Sequence, residues 1–180
     1  YCIKTEKKLL NNKNSFKILA ISDIHLGSIV GFNKLNKINS ICKETKPDII
    51  FFVGDILDEA MAPIISKNIG QPLSELDVPY GKYAVLGNHE FIGGYKKAKE
   101  YIENKLGIKL IIDSFVSIDN IIIIGRNDLH SQRFTGIKNK SFQKVLDSIN
   151  TNNSYVIVLD HQPQRFNEVV QNKIDLQISG

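Results

Sequence analysis

Asp48-Ile49-Ile50-Phe51-Phe52-Val53-Gly54-Asp55-Ile56-Leu57-Asp58 decides how this chain folds: an apolar, strand-like run ends on a glycine and at once delivers carboxylates. Pro47 stands just before it and stops a helix in which Leu35, Ile38, Ile41 and Cys42 recur at helical spacing. On the far side of that helix, residues 16–21 form another apolar run, suited to a strand buried on both faces, and it leads into Asp23-Ile24-His25. The unit is strand, helix, strand, with metal-ligating residue types at both strand ends.

The same event recurs downstream. Residues 82–86 read as a third strand ending in Gly87-Asn88-His89-Glu90, and Tyr155–Leu159 as a strand delivering Asp160-His161. Between Asp58 and the third strand, Pro63, Gly70 and Pro72 predict a short helix and a loop. Tyr95, Ala98, Tyr101, Ile102 and Leu106 mark a second amphipathic helix, broken at Gly107. Residues 109–112, 115–118 and 121–124 predict three close-set strands, with turns at Ile112-Asp113-Ser114 and Asp119-Asn120, forming a meander within a second sheet. Residues 125–135 read as a polar surface loop. Phe142, Val145, Leu146 and Ile149 give a third helix, Pro163 opens a fourth containing Phe166, Val169 and Val170, and residues 173–178 form the last strand. The organisation is a polar arm, residues 1–15, followed by one domain, residues 16–180.

Composition narrows the class. The 180 residues are 42% hydrophobic and 23% charged, ordinary for one folded domain, and the apolar runs at 49–53 and 121–124 are far too short to cross a bilayer. The net charge of +4 is dispersed over solvated helix faces, with no basic stripe interleaved with stacking aromatics, so nucleic acid is not the expected partner. Lys4, Lys7, Lys8 and Lys13 suit either a solvated arm or a surface facing anionic lipid. Cys2 and Cys42 lack CxxC spacing and are not expected to form a disulfide, which is compatible with a reducing compartment.

In an open α/β sheet, ligands bind outside the carboxyl ends of the strands, where Asp23, His25, Asp55, Asn88 and His161 all fall. Their mix of oxygen and imidazole donors suits manganese, iron or zinc, and the absence of thiolates argues against a structural zinc. Together they read as a site for two divalent metal ions, with Asp55 placed to bridge and a metal-activated hydroxide as the attacking group on phosphorus. His89 adjoins the ligand Asn88, so its ring is expected to face substrate as a proton donor, with Asp58 fixing its tautomer. The 125–135 loop carries Arg126, Asp128, His130 and Arg133; Arg126 and Arg133, along with Asn88 and His89, are the candidate substrate contacts, because guanidinium suits bidentate phosphate binding.

Asp-x-His, Gly-Asp-x-x-Asp, Gly-Asn-His-Glu and a later strand-borne His resemble the calcineurin-like metallophosphoesterases over residues 16–180. Leu159-Asp160-His161-Gln162-Pro163 and Asp175-Leu176-Gln177-Ile178-Ser179-Gly180 are similar to the bacterial membrane-associated phosphodiesterase branch. The resemblance implies a four-layer α/β/β/α sandwich with two mixed sheets. It also implies one ion held by Asp23, His25 and Asp55 and another by Asp55, Asn88 and His161. A His-x-His following Gly180 would supply one further ligand to each ion, and C-terminal strands of the second sheet would lie beyond that point. His89 would be the catalytic acid and Asp58 its orienting partner. Asp58 is followed by Glu59-Ala60, not by the Arg-Gly of the protein serine/threonine phosphatases. The implied function is hydrolysis of small phosphodiesters or phosphomonoesters, cytoplasmic or membrane-associated in a bacterium, with any membrane segment upstream of Tyr1. The rival readings are a non-catalytic binding module of the same fold and a nuclease of that fold.

Overall fold

The computed structural model describes residues 1–10, 13–27 and 32–180. Its elements run β1 (Ile18–Ile21), α1 (Phe32–Thr45), β2 (Ile49–Val53), α2 (Met61–Ser66), α3 (Gln71–Ser74), β3 (Lys82–Val85), α4 (Asn88–Ile92), α5 (Tyr95–Glu100) and β4 (Lys109–Leu110). They continue with β5 (Ser114–Ile118), β6 (Ile121–Gly125), α6 (Ser131–Thr135), α7 (Phe142–Leu146), β7 (Tyr155–Leu159), α8 (Phe166–Gln171) and β8 (Leu176–Ile178). Two four-stranded sheets result, ordered β1-β2-β3-β4 and β5-β6-β7-β8.

Side-chain parity along the strands builds four layers. Alternate residues of a strand point to opposite faces, so Ile49, Phe51 and Val53 of β2 meet Ile121, Ile123, Tyr155, Ile157 and Leu159 between the sheets. Ile50 and Phe52 face the other way, into a core with Leu35, Ile38 and Cys42 of α1 and Ala98, Tyr101 and Ile102. Ile122, Ile124, Val156 and Val158 pack on Phe142 and Val145 of α7 and Val169 of α8. Strands β2, β6 and β7 are buried at every position, as expected of strands covered on both faces. This is the expected α/β/β/α sandwich.

Several expectations change in detail. The first sheet is parallel throughout; only the second is mixed, through antiparallel β5. Residues 109–124 do not form a three-strand meander: β4 pairs with β3 in the first sheet, and only β5 and β6 form a hairpin. The 125–135 segment is not wholly a surface loop, since Arg126 and Asp128 are buried and residues from Ser131 onward form α6. Ile41 lies on the exposed side of α1.

The arm is docked. Lys7 Nζ donates to Ser154 O at 2.9 Å and pairs with Asp175 at 2.7 Å; Leu9 O accepts from Asn120 N at 3.3 Å, and Leu10 is buried between the sheets. Lys13 pairs with Asp48. Asp48, Asn120, Ser154 and Asp175 immediately precede or lead into β2, β6, β7 and β8. The arm therefore lies across the amino ends of strands from both sheets, opposite the ends where the candidate ligands sit. Lys7 and Lys13 are engaged within the chain.

Candidate metal centre

Loops following β1 and β2 are zipped together before any metal is considered. Asp23 N donates to Gly54 O at 3.2 Å, His25 N to Asp55 O at 3.0 Å, Leu26 N to Ile56 O at 2.8 Å and Asp58 N to Leu26 O at 2.9 Å. Lys34 Nζ holds the first loop from outside through Asp23 O at 3.0 Å and Ile24 O at 3.1 Å. This geometry places Asp23, His25 and Asp55 at φ values of 54°, 48° and 50°, in the left-handed region that non-glycine residues rarely occupy. Such backbone persists only where its surroundings over-determine it.

Asp55 is the hub. Its Oδ1 accepts the His89 N–H at 3.0 Å, leaving Oδ2 facing three imidazoles: His161 Nε2 at 3.4 Å, His25 Nε2 at 3.8 Å and His89 Nε2 at 4.0 Å. Asp23 Oδ1 stands 3.8 Å from His25 Nε2. Two donor sets, His25 with Asp55 and His89, and Asp23 with Asp55 and His161, each gather their ligand atoms within 4.8 Å of one another. Donors bound at about 2.0–2.2 Å to one ion stand roughly 3–4 Å apart, so these separations fit divalent metal.

The chain also leaves room for this convergence. A Cβ on Gly54, whose φ is +82°, would stand 2.4 Å from His161 Nδ1; one on Gly87 would stand 2.2 Å from Asp55 Oδ1; one on Gly180 would stand 2.6 Å from His161 Nδ1. His161 Nδ1–H donates to Val53 O at 2.8 Å, which fixes the tautomer and presents Nε2 to Asp55. Burial opposes charge on His161, but Asp55, the Val53 carbonyl and Asp23 outweigh it and raise its pKa to about 9. Burial likewise opposes charge on Asp55, yet His161 and the His89 amide hold its carboxyl below the usual range.

Asn88 opens α4, half-buried, directly after Gly87. His89 packs edge-on to His25, ring centroids 4.5 Å apart. Its Nδ1 is buried without a hydrogen-bond partner, 3.8 Å from Asp58 Oδ1 and 3.7 Å from Glu59 Oε1. Asp58 thus stands beside His89 but beyond hydrogen-bond distance, and Glu59 stands equally near. The loop residues divide. Arg126 is buried at 4% exposure, 3.5 Å from Asp113 and 2.9 Å from Glu168, with its guanidinium 4.8 Å from the Phe142 ring centroid. It is committed to the fold and is not available as the expected phosphate contact. Arg133 is exposed on α6, which packs against α4.

Sequence reasoning passed over Glu90. Its fully buried carboxylate accepts from Asp55 N at 3.1 Å, Leu57 N at 2.8 Å and Gly87 N at 2.8 Å, binding the loops after β2 and β3 to each other. Burial, with help from the Asp55 charge, pushes its pKa up to about 7 against the pull of those three amides. A glutamate opening a helix ordinarily reads as a solvated first-turn acid, so only its place three residues after a strand-end glycine signals this role.

Comparison with known proteins agrees with this architecture. A crystal structure superposes with a TM-score of 0.65 over 91% of this chain and 83% of its own, at 16% identity, a likeness of fold. An uncharacterized metallophosphoesterase of Aquifex aeolicus is 33% identical over 181 residues, covering 100% of this chain and 67% of the relative. A zebrafish (Danio rerio) transmembrane protein with a metallophosphoesterase domain is 27% identical, and an uncharacterized metallophosphoesterase of Campylobacter jejuni, Cj0846, is 28% identical; this chain spans 40% and 44% of their lengths. Among the described residues no helix is long and apolar enough to cross a membrane. With the Calcineurin-like phosphoesterase model matching residues 16–180, around the strand-end loops that gather at Asp55, the chain belongs to the calcineurin-like phosphoesterase family.

Proposed function

We propose that this domain hydrolyses small phosphodiesters or phosphomonoesters with two divalent ions, manganese, iron or zinc, held by Asp23, His25 and Asp55 on one side and by Asp55, Asn88 and His161 on the other. The observation that carries this reading is the convergence of three imidazole Nε2 atoms on Asp55 Oδ2 at 3.4–4.0 Å, with Oδ1 already engaged by the His89 amide. When bound, such ions supply Lewis-acid stabilisation of phosphoryl oxygens and an acidified water. His89 holds a proton for the departing alkoxide, with Asp58 and Glu59 beside its ring. Asn88 and Arg133 orient the ester. The resemblance to the bacterial membrane-associated branch favours a diester.

The test is turnover of bis-p-nitrophenyl phosphate and p-nitrophenyl phosphate by the full-length protein with added manganese. His89→Ala is expected to lower kcat by about 10²–10⁴-fold, the worth of a general acid, and Asn88→Ala to raise the metal concentration required. If the protein cleaves neither ester with any divalent ion, the enzyme reading falls and a binding module takes its place.

A further inference from the structure

The chain has four histidines, and three of them meet at Asp55. The fourth, His130, has a different support. Asp128 is fully buried at 0% side-chain exposure, and its Oδ1 accepts the His130 N–H at 2.7 Å while standing 3.3 Å from the ring Nδ1. Its other oxygen, Oδ2, is buried with no partner. Gln162 Nε2 lies 3.1 Å from the same Nδ1, and Gln162 Oε1 is held in turn by the Gln164 amide at 3.1 Å. The side chain of His130 is nonetheless 52% exposed. The Gln162 NH₂ can only donate, so Nδ1 accepts from it and the ring proton sits on Nε2, the atom left for a ligand, while Asp128 holds the residue through its backbone N–H.

Position makes this arrangement informative. His130 begins α6, which packs against α4, the helix of Asn88 and His89, and Gln162 directly follows His161. The ring therefore stands on the rim between the loops of the two sheets. Capping a short helix accounts for the bond from Asp128 to the backbone N–H, but not for the Gln162 contact. A donor held against one imidazole nitrogen fixes the tautomer and the orientation of the other, and the Gln162 amide is such a donor, itself held by Gln164.

We propose that His130 is a substrate contact of the phosphoesterase site: Nε2, aimed by Asp128 and Gln162, hydrogen-bonds a hydroxyl or phosphoryl oxygen on the alcohol portion of the ester. The substrates preferred are then esters of polyhydroxy or phosphorylated alcohols over plain aryl esters. The assignment rests on the two-metal reading, and Gln162 is a positioning residue within it.

The experiment compares glycerol 2-phosphate, which has free hydroxyls on its alcohol, with p-nitrophenyl phosphate, which has none. His130→Ala is expected to lower kcat/KM for glycerol 2-phosphate roughly tenfold, the worth of one hydrogen bond, chiefly through KM, with less than about twofold change for p-nitrophenyl phosphate. Gln162→Leu, which removes the donor to Nδ1, is expected to reproduce part of that loss, and His130→Gln to restore part of the activity. Equal losses on both substrates, or none on either, overturn the proposal. A second readout does not need turnover: in the zinc-loaded protein, the His130 imidazole ¹H–¹⁵N signals are expected to shift on adding glycerol 2-phosphate, and unmoved signals overturn the assignment. If wild type cleaves nothing while the His130 signals shift, the hydrolytic reading fails and the contact stands.

Discussion

Glu90 and Gly54 set the tolerances of the centre from opposite directions, one by holding and one by leaving space. Glu90→Gln keeps one acceptor oxygen but turns an NH₂ toward amides that themselves donate, among Asp55 N, Leu57 N and Gly87 N. Leaving buried donors unsatisfied costs about 1–3 kcal/mol each, so denaturant unfolding is expected to show a loss in that range, and activity to fall by at least tenfold. An aspartate side chain is too short to restore the contacts, so Glu90→Asp is expected to rescue little. Gly54→Ala sets a methyl 2.4 Å from His161 Nδ1 at a φ of +82°, so His161 must move. Calorimetric titration with manganese is expected to show weakened binding at one of the two sites, whereas Gly136→Ala, at φ +71° with open space around it, is expected to leave metal binding intact.

Among the elements, the arm offers the clearest pH-dependent prediction. Burial opposes the ionised Asp48, but Lys13 and the Lys17 amide outweigh it and hold its carboxyl below the usual range. The stability it contributes is present above the unfolded carboxylate value of about 3.9 and is lost as pH falls through the lower folded value. Thermal unfolding followed between pH 6 and pH 3 is expected to fall less steeply for Asp48→Asn than for wild type. The elements also divide by how they are legible from the residues. β2, β6 and β7 declare themselves because each is a short, apolar run, and their doubly covered setting follows. β4 does not: residues 109–112 lie as close in sequence to β5 as to anything else, and nothing local says that their partner is β3, on the far side of α5. Arg126 was legible as a charge but not as a buried one, since Asp113 and Glu168 reach it from distant segments. The candidate ligands at strand ends were legible by type and order, while the left-handed backbone and glycine clearances that let them converge were not.

For the whole molecule, the proposed metal site would link folding to metal uptake. A ligand that binds only the native state at about 100 times its Kd adds about 2.7 kcal/mol, so excess manganese is expected to raise Tm by roughly 5–10 °C for a chain of this size, and EDTA to abolish the gain. Asp55→Ala is expected to lose it as well. Phe51, wholly buried between the sheets, tests the middle layer: Phe51→Ala is expected to cost about 3–5 kcal/mol in denaturant unfolding. Phe115, on the outer strand of the second sheet and 37% exposed, is expected to cost far less when replaced by alanine.

The docked arm, fastened across the amino ends of β2, β6, β7 and β8 through Lys7, Leu9, Leu10 and Lys13, gives the domain a floor and a ceiling. A bead, dye or fusion partner attached ahead of Tyr1 emerges at the floor, so an immobilised layer presents the ceiling, with Asp55 and its imidazoles, to the liquid. Attachment through the exposed surface of α6 reverses that orientation and crowds the opening.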